Sequence, residues 1–350
     1  MPLRCTECEL DHPNEFRLRC SCGAPLIIKN EFTRSFEEML EPERSDMRRY
    51  SRFLPIDVQY VSDLAPPLAP MVEKEIGNVR VIFKLEYLMP SGSFKDRGTY
   101  VTVAKLKEEG IDEVSLDSSG NAAISLALYG KSEGIKTHIF IPEDIGEGKK
   151  RILDELASEV HEISGTRMEV HERALEFEDT SYVSHWYNPF FLEGTKISAY
   201  EVGETQEVDR VLVPTGSGTL FLGMYKGFSE LSSFGVVDKV TKMIAVEAKG
   251  YESLGETSVN KSELSSGVEI IEPPRTDQMR DVLEETGGFS ISVQDDKIES
   301  AKEELLSMGF LVETTSAMAY AAFLDLLEKG EFDEKERVLI PLTGSGLKSL

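Results

Sequence analysis

Arg210-Val211-Leu212-Val213-Pro214-Thr215-Gly216-Ser217-Gly218-Thr219 is a short apolar run that closes on a proline and a Gly-Ser-Gly turn, and the apolar stretch 220–225 behind it reads as a helix start. An apolar run of this length, bounded by turn residues, is the signature of a fully buried strand. The same design returns at Arg337-Val338-Leu339-Ile340-Pro341-Leu342-Thr343-Gly344-Ser345-Gly346, with one extra residue between the proline and the Gly-Ser-Gly, and again at Leu116-Asp117-Ser118-Ser119-Gly120-Asn121. In a parallel sheet the carboxyl ends of the strands emerge on one edge, where ligands bind. Three glycine turns rich in hydroxyls and amides are therefore expected to converge on one crevice.

Working outward, further strand candidates lie at 79–85, 114–117, 137–142, 160–163, 182–186, 243–247 and 338–340, with helical patterns between them. Strands alternating with helices of 10–15 residues predict βαβ units. The expected class is α/β, with two doubly wound lobes built on mainly parallel sheets.

The 350 residues carry 38 Lys+Arg against 63 Asp+Glu, a formal charge of −25. That surface repels phosphate backbones and anionic lipid, so neither nucleic acid nor a membrane is the expected partner. No apolar run approaches the roughly 20 residues of a membrane span, and Met1-Pro2-Leu3-Arg4-Cys5 has no apolar signal region, so a cytoplasmic address is expected.

All four cysteines, Cys5, Cys8, Cys20 and Cys22, fall within the first 22 residues, which argues against a disulfide framework. A Cys-x-x-Cys knuckle followed by a second pair suits one tetrahedral metal, so residues 1–28 read as a zinc-ribbon-like segment, structural because four protein ligands leave no open position. The second pair is Cys-x-Cys, tighter than the usual knuckle, and a ribbon that has lost its metal or oxidised is the competing reading.

Glycines in Thr215–Thr219 let successive amides turn toward one anion at a helix start. A dinucleotide fingerprint begins similarly, but position 221 is Phe rather than Gly and Glu247 lies about thirty residues on instead of about twenty. No Gly-Lys-Ser/Thr follows, so a single phosphate is the better occupant. Lys95, in Pro90-Ser91-Gly92-Ser93-Phe94-Lys95-Asp96-Arg97-Gly98, is either a solvated lysine paired with Asp96 or an amine that forms a Schiff base with an aldehyde cofactor. The phosphate cup favours the second reading, because pyridoxal phosphate needs both groups.

These residues carry a resemblance. Ser91–Gly98 closely resembles the cofactor-lysine motif of threonine synthases, within the tryptophan-synthase-β-like (fold-type II) pyridoxal-phosphate enzymes. Ser118-Ser119-Gly120-Asn121, Leu192-Glu193-Gly194-Thr195-Lys196, Pro214–Thr219 and Thr343-Gly344-Ser345-Gly346-Leu347-Lys348 resemble that family's further motifs, so the likeness runs along nearly the whole chain. It implies that Lys95 holds the cofactor and later moves protons, and that Asn121 bonds the pyridine 3-hydroxyl. It further implies that Thr215, Gly216, Ser217, Gly218 and Thr219 form the phosphate loop and that Thr343 faces the ring nitrogen. Ser118, Ser119 and Gly120 would receive the substrate carboxylate. A homodimer is also implied.

The departures concern the substrate. Where threonine synthases usually carry Asn-Ser-x-Asn-Pro-x-Arg, this chain has His185-Trp186-Tyr187-Asn188-Pro189-Phe190-Phe191, and Ala122 stands where a hydroxylated residue is common. An apolar wall does not replace the charge-assisted bonds a phosphate dianion needs, unless a cation such as Arg275 or Lys149 enters from elsewhere. The expected activity is that of a pyridoxal-phosphate lyase or synthase like threonine synthase, acting on O-phosphohomoserine. The alternatives are a threonine/serine dehydratase-like or β-replacing (cysteine- or cysteate-synthase-like) enzyme, and a non-catalytic paralogue. The expected organisation is the ribbon (1–28), a large cofactor-binding lobe (29–98 and 191–350) and a small lobe (99–190).

Overall fold

The computed structural model describes the whole chain except residues 144, 179, 260, 263, 265, 266, 269, 271 and 350. Two compact units emerge. One comprises Met1–Pro67, Met89–Gly194 and Lys348–Leu350; the other comprises Leu68–Leu88 and Thr195–Leu347.

The first unit opens with a small antiparallel sheet of β1 (Leu3–Cys5), β2 (Asp11–His12) and β3 (Leu26–Ile28), in the order β2-β1-β3. A four-residue helix α1 (Phe36–Met39) follows, closed by a capping box between Ser35 and Glu38. Next come helix α2 (Lys95–Glu108), β6 (Glu113–Asp117), α3 (Asn121–Glu133) and β7 (Lys136–Pro142). The unit continues through α4 (Glu147–Leu156), β8 (Glu159–Ile163), α5 (Arg167–Leu175), β9 (Ser181–Tyr182) and α6 (Pro189–Thr195). Its four strands pair in parallel in the order β8-β7-β6-β9. On one face Phe140, Val170 and Ala174 form a small core with Phe177 packed on it.

The second unit holds β4 (Met71–Ile76), β5 (Val79–Lys84), α7 (Ile197–Gly203), β10 (Arg210–Pro214), α8 (Thr219–Ser233) and β11 (Lys242–Ala248). It ends with α9 (Thr276–Thr286), β12 (Phe289–Val293), α10 (Asp295–Ser307), α11 (Thr314–Glu328) and β13 (Arg337–Pro341). Its six strands run β12-β11-β10-β13-β5-β4, all parallel except the β4–β5 hairpin. The two strands that echo one another in sequence, β10 and β13, are adjacent here. Their runs are buried on both faces, which is why they read as continuous rather than alternating apolar text. Phe83 on β5 packs against Tyr320 of α11 and Phe310, with ring centroids 5.6 and 5.0 Å apart.

The α/β class with mainly parallel sheets is thus observed. The strand expected at 182–186 is not: β9 ends at Tyr182, and 185–187 form a turn before Asn188. Asn188 Oδ1 accepts the Phe190 amide at 2.9 Å and its Nδ2 donates to Thr102, so this segment is committed to starting α6. Strands β4 and β12 were not anticipated. β4 carries Glu73, Lys74 and Glu75 on a sheet edge, where charge is tolerated and the apolar signal is diluted. The units also group the chain differently from the lobes expected, since 29–67 and 89–98 lie with 99–190, because Lys95 already begins α2 and α2 packs along α3.

Candidate active site

In the first unit, Lys95 is the first residue of α2 and is half-buried. Its Nζ lies 4.8 Å from the centroid of the Phe94 ring and 5.8 Å from that of Phe191. The next residue, Asp96, is fully buried and accepts hydrogen bonds from the Ser91 amide (2.6 Å) and hydroxyl. The acid therefore clasps the loop that precedes Lys95. Burial pushes its carboxyl above the usual range, against the opposing pull of Ser125 and Ser91.

Two glycines explain how α6 reaches this point. A Cβ on Gly194 would stand 2.0 Å from the Arg97 carbonyl oxygen, and one on Gly98 would stand 2.4 Å from the Phe191 ring. Helix α6 therefore crosses the start of α2 at backbone contact, and Phe191 lies flat over Gly98. Phe191, His185, Val183, Leu116, Ala122, Leu126, Thr99 and Thr102 line a cavity beneath.

Gly120 precedes the first residue of α3, Asn121. Ser118 Oγ accepts the Gly120 amide at 3.3 Å, so one donor of this turn serves the turn itself. The Asn121 side-chain Oδ1 accepts from Lys348 Nζ at 2.5 Å, and Lys348 also donates to the Gly92 backbone carbonyl at 2.9 Å. A C-terminal lysine thus ties the Asn121 turn to the loop ahead of Lys95. Behind the turn, Asp117 is held by the Tyr182 hydroxyl and by His171 Nδ1 at 2.9 Å.

In the second unit, Thr215 opens the turn with its amide on the Val246 carbonyl (2.7 Å) and its hydroxyl on the Val213 carbonyl (2.8 Å), so it braces the loop. Ser217 and Thr219, both buried, face each other with hydroxyl oxygens 3.3 Å apart. Gly218 sits at φ +78°, a conformation other residues rarely adopt, and a Cβ there would lie 2.4 Å from Met279 Sδ. The helical bonding of α8 begins with the Leu222 amide on the Gly218 carbonyl, so the amides before it face outward from the helix end. Buried hydroxyls, a helix of 15 residues behind them and an obligatory glycine make a cradle that suits a phosphate. Thr343 is buried at the end of β13, its hydroxyl 3.1 Å from that of Ser316 on α11, which also accepts the Gly344 amide at 3.0 Å.

The first unit carries an amine at a helix start and the second a cradle that suits a phosphate. Comparison with known proteins decides the family: residues 66–344 match the model for "Pyridoxal-phosphate dependent enzyme". The chain belongs to this family. It is 30% identical to the threonine synthase of Methanocaldococcus jannaschii, covering 99% of this chain and 92% of that one. It is 28% identical to the threonine synthase of Methanosarcina acetivorans, with the same two coverages. Among solved structures, threonine deaminase isoform 2 of Solanum lycopersicum superposes with a TM-score of 0.69 at 21% identity, covering 92% of each chain. Maize serine racemase gives 0.69 at 21% identity, covering 80% of this chain and 89% of that one. The chain is therefore a threonine-synthase-like, pyridoxal-phosphate-dependent lyase.

Sequence reasoning left Lys348, Ser316 and Asp117 without roles and gave Asp96 only that of a possible ion-pair partner for Lys95. Ser316 alone of the four lay outside the quoted motifs.

The cysteines of the N-terminal sheet gather as expected. Cys5 and Cys22 sulfurs are 3.5 Å apart, Cys8 and Cys20 sulfurs 3.6 Å, and all four lie within 4.8 Å of one another. Bonds of about 2.3 Å to a tetrahedral zinc would put sulfurs roughly 3.8 Å apart. The Cys20 thiol is pulled down to about 5 by the Cys22 amide and by His12, whose Nε2 is 3.3 Å away. His12 was not anticipated at this cluster.

Proposed function

We propose that this enzyme converts O-phosphohomoserine to threonine and inorganic phosphate, using Lys95 as the cofactor-bearing residue and proton carrier. The observation that carries the reading is the amine of Lys95 at the start of α2, with Asp96, Ser91 and Lys348 bracing its loop. The near full-length likeness to threonine synthases supports the reaction.

Bound pyridoxal phosphate supplies an electron sink conjugated to the substrate Cα. The amides and hydroxyls of Gly216, Ser217, Gly218 and Thr219 would hold its phosphate, braced by Thr215, and Asn121 would meet its 3-hydroxyl. Thr343, steadied by Ser316, would face the ring nitrogen with a hydroxyl, which does not enforce ring protonation as a carboxylate would. The Ser118–Gly120 turn would take the substrate carboxylate. The Lys95 amine then takes the proton from Cα and returns protons as phosphate leaves Cγ and water adds at Cβ. The ribbon would hold one structural zinc through Cys5, Cys8, Cys20 and Cys22.

A second reading rests on positions 122 and 191. Buried Ala122 and buried Phe191, whose ring centroid lies 5.8 Å from the Lys95 amine, stand where the resemblance leads one to expect a hydroxylated residue and an arginine. That favours a small amino acid with an uncharged side chain, as in dehydration or β-replacement. One assay separates the two. Holoenzyme given O-phospho-L-homoserine should release phosphate and threonine in equal amounts. Keto acid and ammonia from serine or threonine, with O-phosphohomoserine inert, would overturn the first reading and establish the second.

A further inference from the structure

Outside the site just described, three side chains on neighbouring strands of the first unit point their donor atoms at one spot. His138 on β7 and Glu159 on β8 are register partners, and His161 follows two residues after Glu159, so all three project from the same sheet face. His138 Nδ1 lies 3.2 Å from His161 Nε2. Glu159 Oε2 lies 3.7 Å from the first nitrogen and 3.5 Å from the second.

These three separations are the edges of a coordination tetrahedron. Metal bonds of about 2.0–2.2 Å to imidazole nitrogen and carboxylate oxygen place neighbouring donors roughly 3.3–3.6 Å apart. Hydrogen bonding alone accounts for less of the arrangement. His161 can donate to His138, but the Glu159 carboxylate then stands beyond hydrogen-bond reach of both rings, and it bonds to no other described residue.

The surroundings are those of a prepared ligand. The other nitrogen of His138, Nε2, is 2.8 Å from Glu113 Oε1, on β6, the next strand of the sheet. A carboxylate on the far nitrogen fixes the tautomer that leaves Nδ1 as a lone-pair donor, and it is the usual outer partner of a metal-bound histidine. Aromatic rings fix the imidazole planes: Phe140 stacks on His161 with centroids 4.4 Å apart, and Phe177 lies 4.7 Å from His138. His138 is buried, whereas the Glu159 side chain is 62% exposed, so the spot opens to solvent on the edge strand.

We propose that His138, His161 and Glu159 bind a divalent first-row cation, with water completing the shell and Glu113 orienting His138. Two imidazoles and one carboxylate suit zinc, with cobalt, nickel and copper as competitors. The ion would clamp edge strand β8 to β7, independently of Lys95 and of the four cysteines.

Zinc is the probe. Holoenzyme is stripped with a chelator, titrated with zinc, freed of excess by gel filtration, and its bound zinc counted by atomic emission. His161→Ala should hold one equivalent fewer than the wild type, whereas Cys8→Ser should leave this equivalent in place. Should His161→Ala disturb the sheet, Glu159→Gln tests the same site from an exposed side chain, and its zinc affinity should fall at least tenfold. Glu113→Gln, which leaves every ligand, should weaken the site by about 10- to 100-fold. Equal zinc content and affinity in the wild type, His161→Ala and Glu159→Gln would overturn the proposal and leave the cluster a hydrogen-bonded histidine pair.

Discussion

Lys95 was singled out in the sequence by its neighbours, a run of hydroxyls and glycines before it and Asp96-Arg97-Gly98 after it. In the fold that run becomes a clasp, because Asp96 turns back onto Ser91 and carries the loop with it. Purified enzyme should be yellow, borohydride should trap the cofactor on residue 95, and Lys95→Ala should lose turnover by several orders of magnitude. A colourless protein that gains no visible absorbance with added pyridoxal phosphate would contradict this. Gly218 gives a second test at this scale. An alanine there must hold φ near +78° at a cost of about 1–2 kcal/mol, and it must also displace Met279. Each 1.4 kcal/mol is tenfold, so Gly218→Ala should weaken pyridoxal phosphate binding about tenfold or more in a spectrophotometric titration.

At the scale of single elements, the N-terminal sheet has strands of only two or three residues and cannot bury a core of its own. A segment that small usually needs a metal or disulfides, and its four sulfurs lie at near-tetrahedral separations. Cys8→Ser should cost one equivalent of zinc and loosen residues 1–28 to proteolysis, with the visible cofactor spectrum unchanged. Four thiols that titrate freely in metal-free, protease-resistant wild type would show that the sheet stands without the ion. Helix α6 teaches a related lesson. A strand was expected at 182–186, yet it stops at Tyr182 and Asn188 caps a helix whose Gly194 touches the backbone of α2. Strand and helix start share apolar text here, and only the cap and the crossing separate them.

For the whole molecule, substrate choice is the decisive question, and Phe191 is its probe. The ring covers Gly98, and its centroid lies 5.8 Å from the Lys95 amine. A buried phosphate dianion without compensating donors costs several kcal/mol. If the enzyme discriminates against phosphate esters, Phe191→Arg should lower the KM for O-phosphohomoserine about tenfold while reducing thermal stability through lost packing. A rise in that KM would mean that the phosphate is met by other donors and that Phe191 only shapes the wall. The homodimer implied by the family resemblance is checked by sedimentation of the holoenzyme, which should run at twice the chain mass. A monomer throughout the micromolar range would exclude it.

Local text determined a great deal. Buried strands, helix starts and glycine turns are written in consecutive residues, so the α/β class and the cysteine cluster were legible from spacing and residue type, and Lys95 and the 215–219 turn stood out as candidates. What the tertiary structure alone decided is every relation between distant positions. Lys348 reaches Asn121 across 227 residues, Ser316 reaches Thr343 across 27, and His138 meets His161 through strand register. None of these pairs has a local signature, because a polar side chain that braces another looks in sequence like any solvated residue. The charged edge strand β4 escaped for the same reason: its sequence matches a surface loop, and only pairing with β5 makes it a strand.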